Sequence, residues 1–201
     1  MTKERIPVAI TGAFLAGLTV LMTMPGVLSS PYAINFPAWA VFITWAGYFA
    51  AGGGGPGKSG GVFKKMYFPI LWGAIWGLAG GLGLVYVGGL GYDLGTSLLL
   101  SGIIIFLVNQ PILWGSKYWG PLKYTPACFY GFATFFATFF GGFGFQPGYI
   151  YAAFVSGLLC NFLGPIWGYL QVALSFPKTC GCTREKIGKT SYRRDNNDEE
   201  I

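Results

Sequence analysis

The chain has 201 residues, of which 53% are apolar and only 10% are charged. Soluble domains carry about 25% charged residues, and residues 6–177 of this chain contain only six. The composition therefore predicts an integral membrane protein in a lipid bilayer and excludes a disordered chain. The net charge of +6 does not indicate nucleic-acid binding, because the basic residues form no patch within the apolar body.

The first uncharged run, residues 6–57, is long enough for two membrane helices, because one span needs about 20 apolar residues. Proline and glycine at residues 24–26, with Pro31 and Pro37, mark a turn inside it. We expect one helix over about residues 7–24 and a second over about residues 36–52.

The later uncharged runs predict four more helices. Residues 66–92 and 94–116 can each hold one span, whereas residues 124–177 can hold two, separated by the glycine-rich segment 141–148. The expected helices cover about residues 66–88, 95–114, 124–141 and 149–174. The fold class is therefore all-α and integral to the membrane, with six transmembrane helices within residues 1–177.

The charges predict the orientation of these six spans. All 13 Lys and Arg residues fall on one side of the membrane, and the opposite loops contain only Asp93. Basic residues collect in cytoplasmic loops, so both termini are expected in the cytoplasm. The charged tail, residues 178–201, is expected to be disordered.

An internal repeat is visible in the second and fifth segments. Pro37-Ala38 precedes Gly52-Gly53 by the same spacing that separates Pro126-Ala127 from Gly141-Gly142. An Ile-Trp-Gly motif follows in each half, ending at Gly77 and at Gly168. With three helices in each half, the two halves would be inverted relative to each other, a construction common among secondary transporters and channels.

Residues 42–53, FITWAGYFAAGG, and residues 126–135, PACFYGFATF, resemble a known family. It is the YcdZ-like family of small bacterial inner-membrane proteins, a DUF family, and the resemblance extends over about residues 8–172. It implies a multi-pass protein of the bacterial inner membrane. The family has no assigned activity, so the resemblance implies no site residues.

Two motifs outside the helices resemble functional sites. Residues 52–59, GGGGPGKS, match the letters of a phosphate-binding loop, but a membrane helix precedes them where that loop requires a strand. We therefore expect no nucleotide binding. Cys180 and Cys182 follow the last span; they are expected to be unmodified thiols, although juxtamembrane lipidation stays open.

The predicted spans lack every ionisable Asp, Glu, Lys, Arg and His. Catalysis requires acid–base pairs, an activated nucleophile or metal ligands, and proton-coupled carriers place ionisable groups at membrane depth. We therefore expect neither an enzyme nor a bound metal or cofactor, with no catalytic residues.

One polar side chain stands out near the middle of the last span. Asn161 shares a helical face with Gly157, Gly164 and Gly168, and Pro165 should kink the helix and free the Asn161 carbonyl. This face should point into the bundle, because an amide facing lipid would be unpaired. The candidate path-lining residues are Asn161, Thr44, Ser101, Thr134 and Thr138.

These features favour a channel or passive transporter for a neutral small solute. The alternative is a non-catalytic accessory subunit of a larger membrane complex, since glycine faces and the phenylalanines of residues 135–140 suit helix–helix interfaces. Either reading predicts association with copies of this chain or with other membrane proteins.

Overall fold

The computed structural model describes residues 4–23, 35–55 and 59–176. These ranges form an all-α structure with six α-helices, as the sequence predicted. The helices are α1 (Val8–Thr23), α2 (Ala38–Tyr48), α3 (Ser59–Gly89), α4 (Leu94–Tyr118), α5 (Thr125–Phe140) and α6 (Ile150–Ser175). A π-helix, Phe49–Gly53, continues α2, and a 3₁₀ turn, Gly120–Leu122, joins α4 to α5.

Two pairs of parallel helices form the centre of the bundle. The most extensive packing joins α3 to α5, followed by α2 to α6. Gly131 of α5 lies directly against the backbone of Ile70 and Ala74 on α3. Gly164 of α6 likewise lies directly against the backbone of Val41 and Trp45 on α2. Glycine makes both approaches possible because a side chain at either position would meet backbone atoms.

The outer helices α1 and α4 run antiparallel to their neighbours. On α1, the Thr19 hydroxyl accepts a hydrogen bond from the Trp167 indole of α6 at 2.5 Å. On α4, the Pro111 carbonyl accepts one from the Trp72 indole of α3 at 3.2 Å. Helix α4 is the least buried of the three long helices, so most of its apolar surface faces outward.

Contacts between loops and termini place alternate helix ends together. The Arg5 amide donates to the Ser175 carbonyl at 2.8 Å, which joins the beginning of α1 to the end of α6. At the opposite end, the Gly144 amide donates to the Asn35 carbonyl at 2.6 Å. The described basic residues occupy the first of these ends, and Asp93 occupies the second. The basic residues are Arg5, Lys64, Lys65, Lys117 and Lys123.

Three helices are long and apolar enough to cross a membrane, namely Gly61–Gly89, Leu94–Tyr118 and Ile150–Ser175. They indicate a helical membrane protein. Helices α1 and α5 are apolar but have only 16 residues each, or about 24 Å at 1.5 Å per residue. The hydrocarbon core is about 30 Å thick.

The helix bounds differ from the expected ones mainly at the basic end. Helix α3 begins at Ser59 rather than near residue 66, and α4 continues to Tyr118 rather than ending near residue 114. Both extensions include lysine. They show that a helix can continue past its apolar segment into the polar boundary of the membrane. The expected tail, residues 178–201, lies outside the described residues.

Candidate functional site

The amide of Asn161 is fully buried between α6 and α5. Its Nδ2 donates a hydrogen bond to the Thr134 hydroxyl, which itself donates to the Tyr130 carbonyl at 2.7 Å. The Oδ1 atom of Asn161 has no hydrogen-bond partner among the described residues. A buried amide therefore keeps one free acceptor in the middle of the bundle.

Toward the Asp93 end lie two more buried polar groups, Thr138 on α5 and Ser156 on α6. The Thr138 hydroxyl faces Gly157, where an added Cβ would lie 3.1 Å from its oxygen. One residue before Gly157, Ser156 is fully buried and accepts a long hydrogen bond of 3.4 Å from the Phe145 amide. Both groups are neutral.

Toward the basic end, the polar groups beside α6 come from α2 instead of α5. Thr44 is fully buried against Gly164. One turn later on each helix, the ring of Tyr48 packs against Gly168, with its Cγ only 2.7 Å from the position of an added Cβ. The Tyr48 hydroxyl is buried and lacks a hydrogen-bond partner in the part of the chain that the structure describes.

We name these buried polar groups on and beside α6 the α6 column. From the Asp93 end to the basic end, its members are Ser156, Thr138, Asn161, Thr134, Thr44 and Tyr48. The stretch of α6 from Ser156 to Gly168 spans about 18 Å of helix axis. All six members have 0% exposure.

Chemically, the α6 column offers hydrogen bonds without charge. The threonine hydroxyls donate to carbonyls one turn earlier, such as Thr44 to Ala40 at 2.9 Å and Thr138 to Thr134 at 2.6 Å. Each hydroxyl oxygen keeps acceptor capacity. The arrangement suits neutral groups that both donate and accept, such as amides and alcohols.

The structure brings together four of the five predicted site residues. Asn161 and Thr134 are joined by a hydrogen bond. Thr44 of α2 and Thr138 of α5 pack against the same face of α6, at Gly164 and Gly157. Ser101 lies half-buried on α4, which packs against α3 and α5, and it makes no hydrogen bond to Asn161. Helix α6 continues through Pro165 from Ile150 to Ser175.

Sequence reasoning missed the Tyr48 and Ser156 ends of the column and a second polar network beside it. In that network Gln171 accepts from the Trp45 indole at 2.9 Å and donates to the Val8 carbonyl at 3.0 Å. Gln171 lies seven residues after Gly164, so the helical spacing that singled out Asn161 could have identified it. Its amide is paired at both ends and holds α1, α2 and α6 together.

No group of three or more His, Cys, Asp or Glu side chains that could hold a metal ion occurs within the described ranges. Cys128 and Cys160 are buried free thiols on different helices. The lysine of the phosphate-loop letters, Lys58, lies outside the described residues, as do Cys180 and Cys182.

Residues 9–175 match the family model described as "Protein of unknown function (DUF1097)". Because the match covers most of the chain, the chain belongs to this family, a group of proteins whose function is not assigned. No curated protein and no solved structure matches the chain. Together, the long apolar helices and the family match define a membrane protein of unknown function.

Proposed function

We propose that the chain is a channel or passive transporter that moves a neutral small solute along the α6 column. The observation that carries this proposal is the set of fully buried, uncharged polar groups along α6, with the Asn161 acceptor unpartnered among them. An unpaired buried polar group costs about 1–3 kcal/mol, and a passing solute with a hydrogen-bond donor would pair with it.

The proposed membrane domain has six spans. Helix directions alternate along the chain, so that α1, α3 and α5 begin at the basic end where α2, α4 and α6 finish. The π-helical residues 49–51 extend α2 at this end, up to Gly52, where the backbone is no longer helical. Helices α1, α2 and α5 would cross a bilayer that is locally thinned, an accommodation available to short spans.

The packing of the helices supports an inverted repeat of α1–α3 and α4–α6. Exchanging the two halves turns the α2–α6 contact into the α5–α3 contact, and these are the two most extensive contacts in the bundle. The same exchange turns the α1–α6 contact into the α4–α3 contact. Gly73 and Gly164, which occupy equivalent repeat positions, each lie against the backbone of the partner helix.

The charge distribution supports cytoplasmic termini. With the basic end inside, the chain follows the positive-inside rule, and the earlier family resemblance suggests the bacterial inner membrane. The proposed protein works without catalysis, nucleotide, metal or cofactor, because a passive path requires none of them.

Solute flux into proteoliposomes tests the proposal. Stopped-flow light scattering would follow the entry of glycerol and of urea into vesicles containing the purified chain. We expect faster entry of at least one solute than in protein-free vesicles. Asn161→Leu should return the rate to that of protein-free vesicles, because it removes the central hydrogen-bonding group.

Asn109→Leu is the matched control. Asn109 is half-buried on α4, and its amide donates to the Ile105 carbonyl of its own helix at 2.8 Å. It should keep the wild-type flux. A folded Asn161→Leu protein with wild-type flux would refute the role of the column.

The second candidate function is that of an accessory subunit. Its specific support is the outward face of α4, where Leu98, Leu99 and Phe106 are each more than 60% exposed. This surface could contact lipid, another copy of the chain or a larger complex. Wild-type flux no faster than in protein-free vesicles, together with stoichiometric partners after purification in mild detergent, would favour this function.

A further inference from the structure

An apolar groove of about 480 Å³ lies on the outer surface of the bundle near its basic end. Most of its lining residues lie on α3, with Pro121 from the turn before α5 and Phe162 from α6. The groove opens outward, so in a membrane it would face the lipid. Its lining residues are Phe63, Lys64, Tyr67, Phe68, Leu71, Pro121 and Phe162.

The groove follows the axis of α3. Lys64 lies nearer the basic end of α3 than Leu71 does, and the seven helical steps from Lys64 to Leu71 span about 10 Å along the α3 axis. The exposed ammonium group of Lys64 therefore lies at the end of the bundle that carries the other described basic residues. The apolar side chains extend from there toward the middle of the membrane.

Lys64 is the charged side chain in this lining. The other polar group, the Tyr67 hydroxyl, already donates to the Phe162 carbonyl at 3.2 Å. An occupant that fits the groove thus needs a long apolar part and one negative group at the membrane boundary. A basic site between helices on the cytoplasmic side has this character in proteins that bind acidic lipids.

We propose that the groove binds one anionic phospholipid, with an acyl chain along Phe68 and Leu71 and the phosphate at Lys64. This site is independent of the α6 column. A zwitterionic phospholipid would fill the groove equally well, but its headgroup has no net charge to attract Lys64. The site should therefore discriminate between headgroups rather than between acyl chains.

Native mass spectrometry of the detergent-purified full chain tests the proposal. The probe is an equimolar mixture of phosphatidylglycerol and phosphatidylcholine with identical acyl chains. We expect wild-type protein to retain phosphatidylglycerol with a preference of about fivefold, the contribution of one lysine near a membrane surface. Lys64→Gln should bind the two lipids about equally, whereas Lys64→Arg should keep the preference.

Lys65→Gln is the matched control, because Lys65 is exposed and adjacent but does not line the groove. It should keep the wild-type preference. Leu71→Trp should lower the retention of both lipids without changing their ratio, because the larger ring fills the part of the groove that Leu71 lines. Equal binding of the two lipids by wild type, or an equal loss in Lys65→Gln and Lys64→Gln, would overturn the proposal.

Discussion

Gly131→Ala should strongly destabilise the bundle, because Gly131 lies where α5 meets the backbone of α3. A Cβ added there would lie 2.8 Å from both the Ile70 carbonyl carbon and the Ala74 amide nitrogen, and closer still to the Ile70 oxygen. Ordinary van der Waals contact needs about 3.5 Å. The added methyl group can fit only if the two helices separate.

The magnitude follows from the separation required. Moving the helices apart by about 1 Å forfeits up to half of the dispersion attraction between facing atoms, and the α3–α5 contact is the most extensive in the bundle. We therefore expect a loss near the upper end of the range for overpacked cores, about 3 kcal/mol. For a chain of this size, the unfolding temperature should fall by about 6–12 °C.

Thermal unfolding of the purified chain in detergent, followed by circular dichroism, measures this loss. Gly102→Ala is the matched control, since Gly102 lies inside α4 with no atom within 4 Å of an added Cβ. That variant should be stabilised by up to about 1 kcal/mol, because alanine favours the helix over glycine. An unfolding temperature for Gly131→Ala equal to that of Gly102→Ala would refute the reasoning.

Two further predictions concern polar groups. Gln171→Leu should destabilise the chain by about 1–3 kcal/mol, because it leaves the buried Trp45 indole without its acceptor; Gln110→Leu, a half-buried position on α4, should cost less in the same unfolding assay. Hydrogen bonds from Thr96 to the Asp93 carboxylate, which caps α4, lower the pKa of Asp93 from its usual 3.8. This stabilisation is complete above the usual pKa and is lost as the pH falls through the lowered one. Wild-type unfolding temperature should therefore drop in acid more than that of Asp93→Asn, and equal acid sensitivity of the two proteins would contradict the prediction.

The sequence was sufficient to predict the number and order of the helices. Charges and Pro–Gly clusters interrupt the apolar runs, and the backbone must be helical within such runs if they lie in lipid. Helix ends were less accurate, as the start of α3 at Ser59 shows. A change in hydropathy marks where the apolar surface ends, whereas the helix ends where its backbone hydrogen bonds stop.

The candidate site was predictable only along single helices. The spacing of Asn161, Gly157 and Gly164 on α6 identified one face of the column, because residues three and four apart share a face. Ser101 was predicted on the assumption that its helix is a neighbour of α6, and spacing along a single helix contains no information about which helices are neighbours. Tyr48 was missed because it joins the site through its contact with Gly168 on another helix, which the spacing along one helix does not reveal.

Three buried polar atoms lack a hydrogen-bond partner among the described residues: Asn161 Oδ1 and the Tyr48 hydroxyl in the column, and the Trp76 indole outside it. Thr19, Gln171 and Ser175 are also polar and buried, but each has a partner on a neighbouring helix or within its own. For Asn161, turning the carboxamide would leave Nδ2 instead of Oδ1 without a partner, so either orientation leaves the residue incompletely paired. A well-packed apolar residue would avoid this cost. Under the proposed function, a passing neutral solute would supply the missing partner of Asn161 transiently.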